Sequence, residues 1–123
     1  MKIEVSNGEI LDKLSIIEIK LNHIQDESKL INLRKEYQVL NDAAKTILPK
    51  DHDLYKALYE VNSELWSIED IIRDLERQKD FGEKFVETAR MVYFFNDKRS
   101  EIKKQINLYT GSNLIEEKSY EKY

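Results

Sequence analysis

The chain has 123 residues, enough for one domain, and carries a net charge of −4 with 36% charged residues of both signs. It contains no cysteine, which excludes a disulfide framework, a thiolate metal site and a cysteine nucleophile. The sequence has no concentrated basic segment and no apolar run of about 20 residues, so we expect neither nucleic-acid binding nor membrane insertion. These features predict a single cytoplasmic domain over residues 1–123.

Four apolar stripes with alternating spacings of three and four residues predict four helices packed side by side. The stripes are, in chain order, Ile10, Leu14, Ile17, Leu21 and Ile24; Leu30, Leu33, Tyr37, Leu40, Ala44 and Ile47; Leu54, Leu58, Val61, Leu65, Ile68, Ile72 and Leu75; and Phe85, Thr88, Val92, Phe95, Arg99, Ile102, Ile106 and Tyr109. Short connections make sequential helices antiparallel neighbours. We therefore predict an all-α, four-helix antiparallel bundle in which helices 3 and 4 are the longest.

The segments between the stripes supply helix boundaries. Ser6 and Glu9 have capping-box spacing before helix 1, and Asp80 and Glu83 repeat it before helix 4. Gly111 suits the C-terminus of helix 4. Residues 1–5 alternate like a short strand and residues 114–120 read as extended, so the two termini could pair as a small β-ribbon at one end of the bundle.

Arg99 interrupts the apolar stripe of helix 4, with Asn96 one turn earlier. A buried guanidinium without a partner costs several kcal/mol, so we expect Arg99 to meet a carboxylate, with Glu18 and Glu69 the best placed. Helix 3 carries a second stripe along one edge, which holds Tyr55, Tyr59, Asn62, Trp66, Glu69, Arg73 and Glu76. The predicted site is therefore a polar layer inside the bundle, formed by Glu18, Asn62, Glu69, Arg73, Asn96 and Arg99.

This polar layer has a structural and a functional interpretation. Glu69 and Arg73 are four residues apart and could be an ordinary helix pair, while the polar groups of helix 4 could simply fix the register between helices. Alternatively, the arginine forks match a carboxylate or phosphate, so the layer could hold a small anionic ligand. In an enzyme, the two arginines would bind the anion, the two asparagines would orient it, and one glutamate would act as general base or hold Mg²⁺. Apart from that case, we predict no metal or cofactor.

Several segments resemble an uncharacterised family of helical bacterial and phage proteins of about this length. They are NGEILDKLSIIEIK (7–20), LYEVNSELWSIEDIIRDLE (58–76), which contains LWSIEDIIR, KDFGEKFVETARMVYFFNDKRSEIKKQIN (79–107), which contains NDKRSEIKKQIN, and EEKSY (116–120). Members of this family are often encoded near glycosyltransferase and surface-polysaccharide genes. The resemblance implies an association with glycan or sugar-nucleotide pathways, and it assigns no catalytic residue.

Three functional hypotheses follow. The first is a non-catalytic binding or accessory module that holds a protein partner or a small anionic ligand. The second is an enzyme acting on a sugar nucleotide or another phosphate-bearing small molecule, and the third is a purely structural dimerisation protein. We expect a homodimer because helices 3 and 4 overhang helices 1 and 2, and because Ile16 and Ile19 give helix 1 a second apolar face.

Overall fold

The computed structural model describes residues 1–119, which form four helices. They are α1 (Asn7–His23), α2 (Glu27–Ala44), α3 (Asp53–Arg77) and α4 (Glu83–Thr110). The all-α architecture is confirmed, and α3 and α4 are the longest helices, with 25 and 28 residues.

The predicted terminal ribbon is not formed, because residues 1–119 contain no strand. Side chains join the termini instead, since Asn113 Nδ2 donates to Glu4 Oε1 at 3.0 Å. Position 120, the last residue of the predicted extended segment, lies outside the described residues. Within the described residues, the segments before α1 and after α4 therefore meet at one end of the helices without backbone pairing.

Two predicted helix ends are confirmed. At the start of α1, the Ser6 hydroxyl accepts a hydrogen bond from the Glu9 backbone N–H at 3.1 Å. This contact satisfies one of the N–H groups that have no partner within the first turn. At the end of α4, Gly111 adopts a left-handed conformation with φ of 68°, which glycine reaches without a Cβ clash.

The start of α4 differs from its prediction. The cap residue is Gly82, which provides no side-chain hydrogen bond, and the Asp80 carboxylate accepts instead from the Gly82 backbone N–H at 3.2 Å. The predicted capping box of Asp80 with Glu83 is therefore wrong. The acidic side chain closes the turn that leads into α4 rather than the first turn of the helix.

Helix α1 has a central position, in which it packs against all three other helices. α3 and α4 also pack against each other, whereas among the described residues α2 makes a close backbone approach only to α1. Leu14 and Ile19 lie on different faces of α1, and both are buried. The neighbouring helices of the same chain thus account for Ile19 on the second apolar face, and this burial removes one of the two arguments for a homodimer.

The main hydrophobic core occupies one end of the α3–α4 hairpin. Among the described residues, the core cluster and the side chains packed on it include nothing in α3 beyond Leu65 and nothing in α4 before Phe95. We call residues 66–94 the distal hairpin, because they lie outside this cluster. The distal hairpin buries its own Ile68 and Leu75, but it leaves several large apolar side chains exposed: Ile71, Phe81, Val86, Met91, Tyr93 and Phe94.

Candidate functional site

Arg99 of α4 meets Asp12 of α1 in a two-point contact. Its Nε donates to Asp12 Oδ1 at 2.9 Å and its Nη2 to Oδ2 at 2.5 Å, while Nη1 lies 3.5 Å from Asn96 Oδ1. Asp12 is only 1% exposed, whereas the Arg99 side chain is 30% exposed. The hydrogen bonds to Asp12 raise the pKa of Arg99 above its ordinary value, against the opposing effect of burial. Arg99 is therefore held as a cation at the boundary between core and solvent.

The expected partners of Arg99 were Glu18 and Glu69, and the structure corrects this to Asp12. Glu18 Oε1 instead accepts from the Tyr55 hydroxyl at 2.9 Å and pairs with Lys50 Nζ at 2.9 Å. Glu18 and Asp12 are six residues apart, which is about 9 Å along a helix. Glu18 consequently belongs to a separate cluster beside the α2–α3 connection.

Asn62 brings α3 to the same carboxylate. Its Nδ2 donates to Asp12 Oδ1 at 2.9 Å and to Ser15 Oγ at 2.8 Å, and all three residues are buried. The Ser15 hydroxyl in turn donates to the Asp12 carbonyl oxygen at 2.8 Å. Because Arg99 also contacts Asp12, one buried carboxylate connects α1, α3 and α4.

The contact between α1 and α4 continues towards the start of α1. Lys103 Nζ lies 2.6 Å from Glu9 Oε2 and 3.8 Å from Asp12 Oδ2. The buried Asn107 accepts from the Gly8 backbone N–H at 2.6 Å. The helices approach so closely here that a Cβ on Gly8 would lie 2.6 Å from the Lys103 carbonyl oxygen. Glycine at this position therefore permits the polar contacts between the two helices.

The segment after α4 returns over these contacts. Glu116 Oε1 accepts from the Ser6 hydroxyl at 2.5 Å, and Oε2 accepts from Asn107 Nδ2 at 3.1 Å. Burial alone would raise the pKa of Glu116, but the hydrogen bonds from Ser6 and Asn107, its own backbone N–H and the Lys103 charge lower it overall. We call the complete set the polar seam, which comprises Ser6, Glu9, Asp12, Ser15, Asn62, Asn96, Arg99, Lys103, Asn107 and Glu116.

Glu69 and Arg73, which were predicted for the site, lie elsewhere. They form an exposed pair one helical turn apart on the distal hairpin, with Arg73 Nε 2.8 Å from Glu69 Oε1. Of the six predicted site residues, the structure thus brings together Asn62, Asn96 and Arg99. It places Glu18, Glu69 and Arg73 outside the polar seam.

Aromatic residues on the edge of α3 pack against α1. Tyr55 is buried and donates to Glu18, while the Tyr59 hydroxyl accepts from Asn22 Nδ2 at 3.2 Å. Trp66 stacks on His23 at the end of α1, with ring centroids 4.9 Å apart. These contacts within the chain favour a packing role for the aromatic edge over a stacking platform for a ligand.

A family model matches residues 1–123. The chain belongs to DUF6165. This family is described as one of unknown function, which agrees with the resemblance to an uncharacterised family. No curated protein and no solved structure matches the chain. Within residues 1–119, no helix of this DUF6165 protein is both long enough and apolar enough to cross a membrane.

The sequence reasoning missed most members of the polar seam in this DUF6165 chain, including Asp12 and Asn107. A signal for Asp12 was present, because Gly8, Asp12, Ser15 and Ile19 step by four, three and four residues along α1. That spacing places them on one helix face, and small or polar residues on such a face indicate close contact with a polar partner.

The polar seam uses its hydrogen-bonding capacity internally. Across the described residues, every buried side-chain nitrogen or oxygen has a hydrogen-bond partner. In the same part of the chain, no group of three His, Asp or Glu side chains could hold a metal ion. The arrangement is well suited to fixing the register of three helices, and the side chains at its edge, such as Arg99, Lys103 and Glu9, remain in contact with solvent.

Proposed function

We propose that this DUF6165 protein is a non-catalytic binding module, and that it engages its partner through the distal hairpin rather than through the polar seam. The observation that carries this proposal is the set of exposed apolar side chains on a two-helix segment outside the core. Ile71 and Met91, for example, are 41% and 47% exposed. Exposed apolar patches on one segment of a protein mark interaction surfaces.

The polar seam supports this proposal by holding the hairpin in place. Asp12 and Asn62 join α1 to α3 just before the distal hairpin begins, and Arg99 joins α1 to α4 just after it ends. A buried, satisfied polar network specifies one arrangement of helices, because shifting the register would leave charged groups unpaired in the interior. A rigid base of this kind positions the distal hairpin for binding.

The resemblance supports a proposal for the pathway in which the protein acts. Because it implies an association with glycan or sugar-nucleotide pathways, we infer that the binding module works beside the proteins of such a pathway. The distal hairpin contains acidic residues such as Glu69 and Glu87 and basic residues such as Arg73 and Arg90. Charges of both signs around apolar side chains are typical of the rim of a protein interface rather than of a nucleic-acid surface.

The proposal is tested by recovering partners from the native host with tagged wild-type protein, Met91→Lys and Val39→Lys. Val39 on α2 is the matched control, because it is also exposed and apolar but lies outside the distal hairpin. We expect Met91→Lys to lose proteins that the wild type and Val39→Lys both retain. Equal recovery by all three chains would contradict the proposal.

A second candidate function is the binding of a small anionic ligand at the exposed edge of Arg99. The observation that favours it is that Nη1 has only a long contact, 3.5 Å, with Asn96, and that the positively charged Lys103 lies on the same helix face. A guanidinium edge of this kind can donate hydrogen bonds to a bound carboxylate or phosphate.

Thermal-shift measurements with sugar nucleotides, with and without Mg²⁺, test this second candidate. Stabilisation that disappears in Arg99→Ala but persists in the exposed-pair variant Arg73→Ala would support a ligand at the polar seam. Turnover of the stabilising compound would then identify an enzyme. No shift with any compound would leave the binding-module proposal as the better one.

A further inference from the structure

A groove of about 330 Å³ runs between α3 and α4. Its lining combines an apolar floor with charged rims of opposite sign: Ala57, Glu60, Val61, Glu64, Phe95 and Lys98. Both acidic residues belong to α3, whereas the basic residue belongs to α4. The two rims of the groove are therefore electrically complementary to each other.

This groove faces away from α1. On α3, Glu60 and Glu64 each lie two residues from Asn62, the residue that contacts Asp12. Two residues correspond to about 200° around an α-helix, so the glutamates occupy nearly the opposite face. The groove is thus on the side of the hairpin that α1 leaves uncovered.

The apolar lining continues from the groove into the distal hairpin. On α3, the positions Val61, Glu64, Ile68 and Ile71 follow steps of three, four and three residues, which place the exposed Ile71 in line with the groove. On α4, Met91 lies four residues before Phe95, one turn further along the same face. We call this combined surface the outer groove, comprising Ala57, Glu60, Val61, Glu64 and Ile71 on α3 and Met91, Phe95 and Lys98 on α4.

We propose that the outer groove is the interface with a second copy of this chain, in a dimer whose two-fold axis runs parallel to α3 and α4. This inference names the partner of the hairpin and therefore rests on the proposed function. Such an axis stacks α3 of one copy on α4 of the other, and it keeps every residue at the same height along the bundle. Glu60 and Glu64 then face Lys98 of the second copy, and the symmetry forms this contact twice.

Charge selects this orientation over the other way of stacking two hairpins. A two-fold axis perpendicular to the helices at the height of the groove would place α3 on α3, so that Glu60 and Glu64 would face the same acidic rim of the second copy. Like charges across an interface cost binding energy. Either axis produces an antiparallel four-helix bundle from two hairpins, which gives Ile71 and Met91 the second helix pair that they lack within one chain, so the charges distinguish the two orientations.

A charge-reversal experiment tests the dimer, with sedimentation equilibrium as the measurement over a wide range of protein concentrations. We expect the wild type to reach twice the mass of the chain. Glu60→Lys/Glu64→Lys and Lys98→Glu should each raise the dissociation constant about tenfold or more, because each makes both rims of the groove carry the same sign. Glu36→Lys, on the exposed surface of α2, is the control and should dimerise as the wild type does.

Mixing the two variants provides the decisive measurement. In a heterodimer of Glu60→Lys/Glu64→Lys with Lys98→Glu, both symmetry-related contacts again join opposite charges, although each variant alone repels itself. We expect the mixture to recover the affinity of the wild type, and circular dichroism should show that each variant is folded. Failure of the mixture to dimerise, when the wild type does, would overturn the proposed interface.

The dimer and the proposed function fail in different ways. A wild type that stays monomeric at every concentration overturns the dimer. If Met91→Lys still loses partners that Val39→Lys retains, the distal hairpin is still a binding surface, but a protein other than a second copy of the chain binds there. If partner recovery is also unchanged by Met91→Lys, both proposals are wrong.

Discussion

Arg99 and Asp12 join α4 to α1 through two hydrogen bonds, of 2.9 and 2.5 Å, and the carboxylate that accepts them is only 1% exposed. Asn62 of α3 donates to the same carboxylate. The removal of one side chain would therefore affect the packing of three helices. A charged pair at this depth also makes the correct register more favourable than any shifted one, because a shift would strand the carboxylate without a cation.

Loss of Arg99 should destabilise the fold much more than loss of another arginine. Arg99→Ala leaves the buried carboxylate of Asp12 with Asn62 and with Lys103 Nζ at 3.8 Å, so we expect a loss of about 2–4 kcal/mol. Arg73→Ala, which removes an exposed pair with Glu69, should cost less than about 0.5 kcal/mol. The midpoints of urea unfolding measure both changes, and equal midpoints for the two variants would contradict a structural role for the Arg99 pair.

Hydrophobic periodicity was sufficient to predict the helices, because each helix of the chain buries a stripe with the period of an α-helix. The last position of the predicted α4 stripe is nevertheless wrong, because Tyr109 is exposed and Asn107 is buried instead. The reason is that Asn107, in the last turn of α4, contacts Gly8 and Glu116 rather than an apolar face. Periodicity identifies the buried face only where the partner is apolar.

The candidate site was harder to predict than the helices, because its pairing depends on how the helices are rotated and offset. Sequence spacing placed Arg99 on an inward face, but it could not distinguish Asp12 from Glu18 on α1. Those two residues are about 9 Å apart along the helix and point in different directions. The close approach at Gly8 sets the offset that brings Asp12 to Arg99.

A methyl group at Gly8 should therefore disturb the polar seam. Alanine is the better helix former, by about 1 kcal/mol, but its Cβ would lie 2.6 Å from the Lys103 carbonyl oxygen. Overpacking of this kind typically costs about 1–3 kcal/mol, so we expect Gly8→Ala to lower the stability to urea. Gly82→Ala is the comparison without a clash, because its Cβ would approach no atom closer than 3.4 Å. This N-cap substitution should lose only the capping preference of glycine over alanine. A Gly8→Ala variant as stable as the wild type would contradict this prediction. It would show that α1 and α4 can move apart enough to admit the Cβ without a loss of stability.

The attachment of the C-terminal segment should depend on pH through Glu116. The folded state lowers the pKa of this group below its ordinary value of 4.5. The ionised carboxylate therefore stabilises the fold fully above pH 4.5, and this contribution is lost as the pH falls through the lower folded pKa. We expect the wild type to be more stable than Glu116→Gln at neutral pH, and the difference should shrink in acid. Urea unfolding of both chains at several pH values measures this, and a difference that stays constant would exclude the carboxylate as its cause.

The hydrogen bond from Tyr55 to Glu18 should show the opposite dependence on pH. Burial, followed by the charge of Glu18 and the hydrogen bond to it, raises the pKa of Tyr55 above its ordinary value of 10.0. Because the folded pKa is the higher one, this stabilisation is complete below pH 10 and declines as the pH rises towards the folded pKa. At about pH 8, Tyr55→Phe should cost about 0.5–1.5 kcal/mol, the usual net value of one hydrogen bond.

Urea unfolding of the wild type, Tyr55→Phe and Tyr59→Phe at about pH 8 and about pH 10.5 checks both parts of this prediction. The advantage of the wild type over Tyr55→Phe should shrink at the higher pH, because the unfolded chain then gains stability by ionising Tyr55. Tyr59 is only half-buried and accepts from Asn22 rather than donating to a carboxylate, so its variant serves as the control. If the cost of Tyr55→Phe is the same at both pH values, Tyr55 ionises as readily in the folded protein as in the unfolded chain, and its contact with Glu18 does not hold the proton.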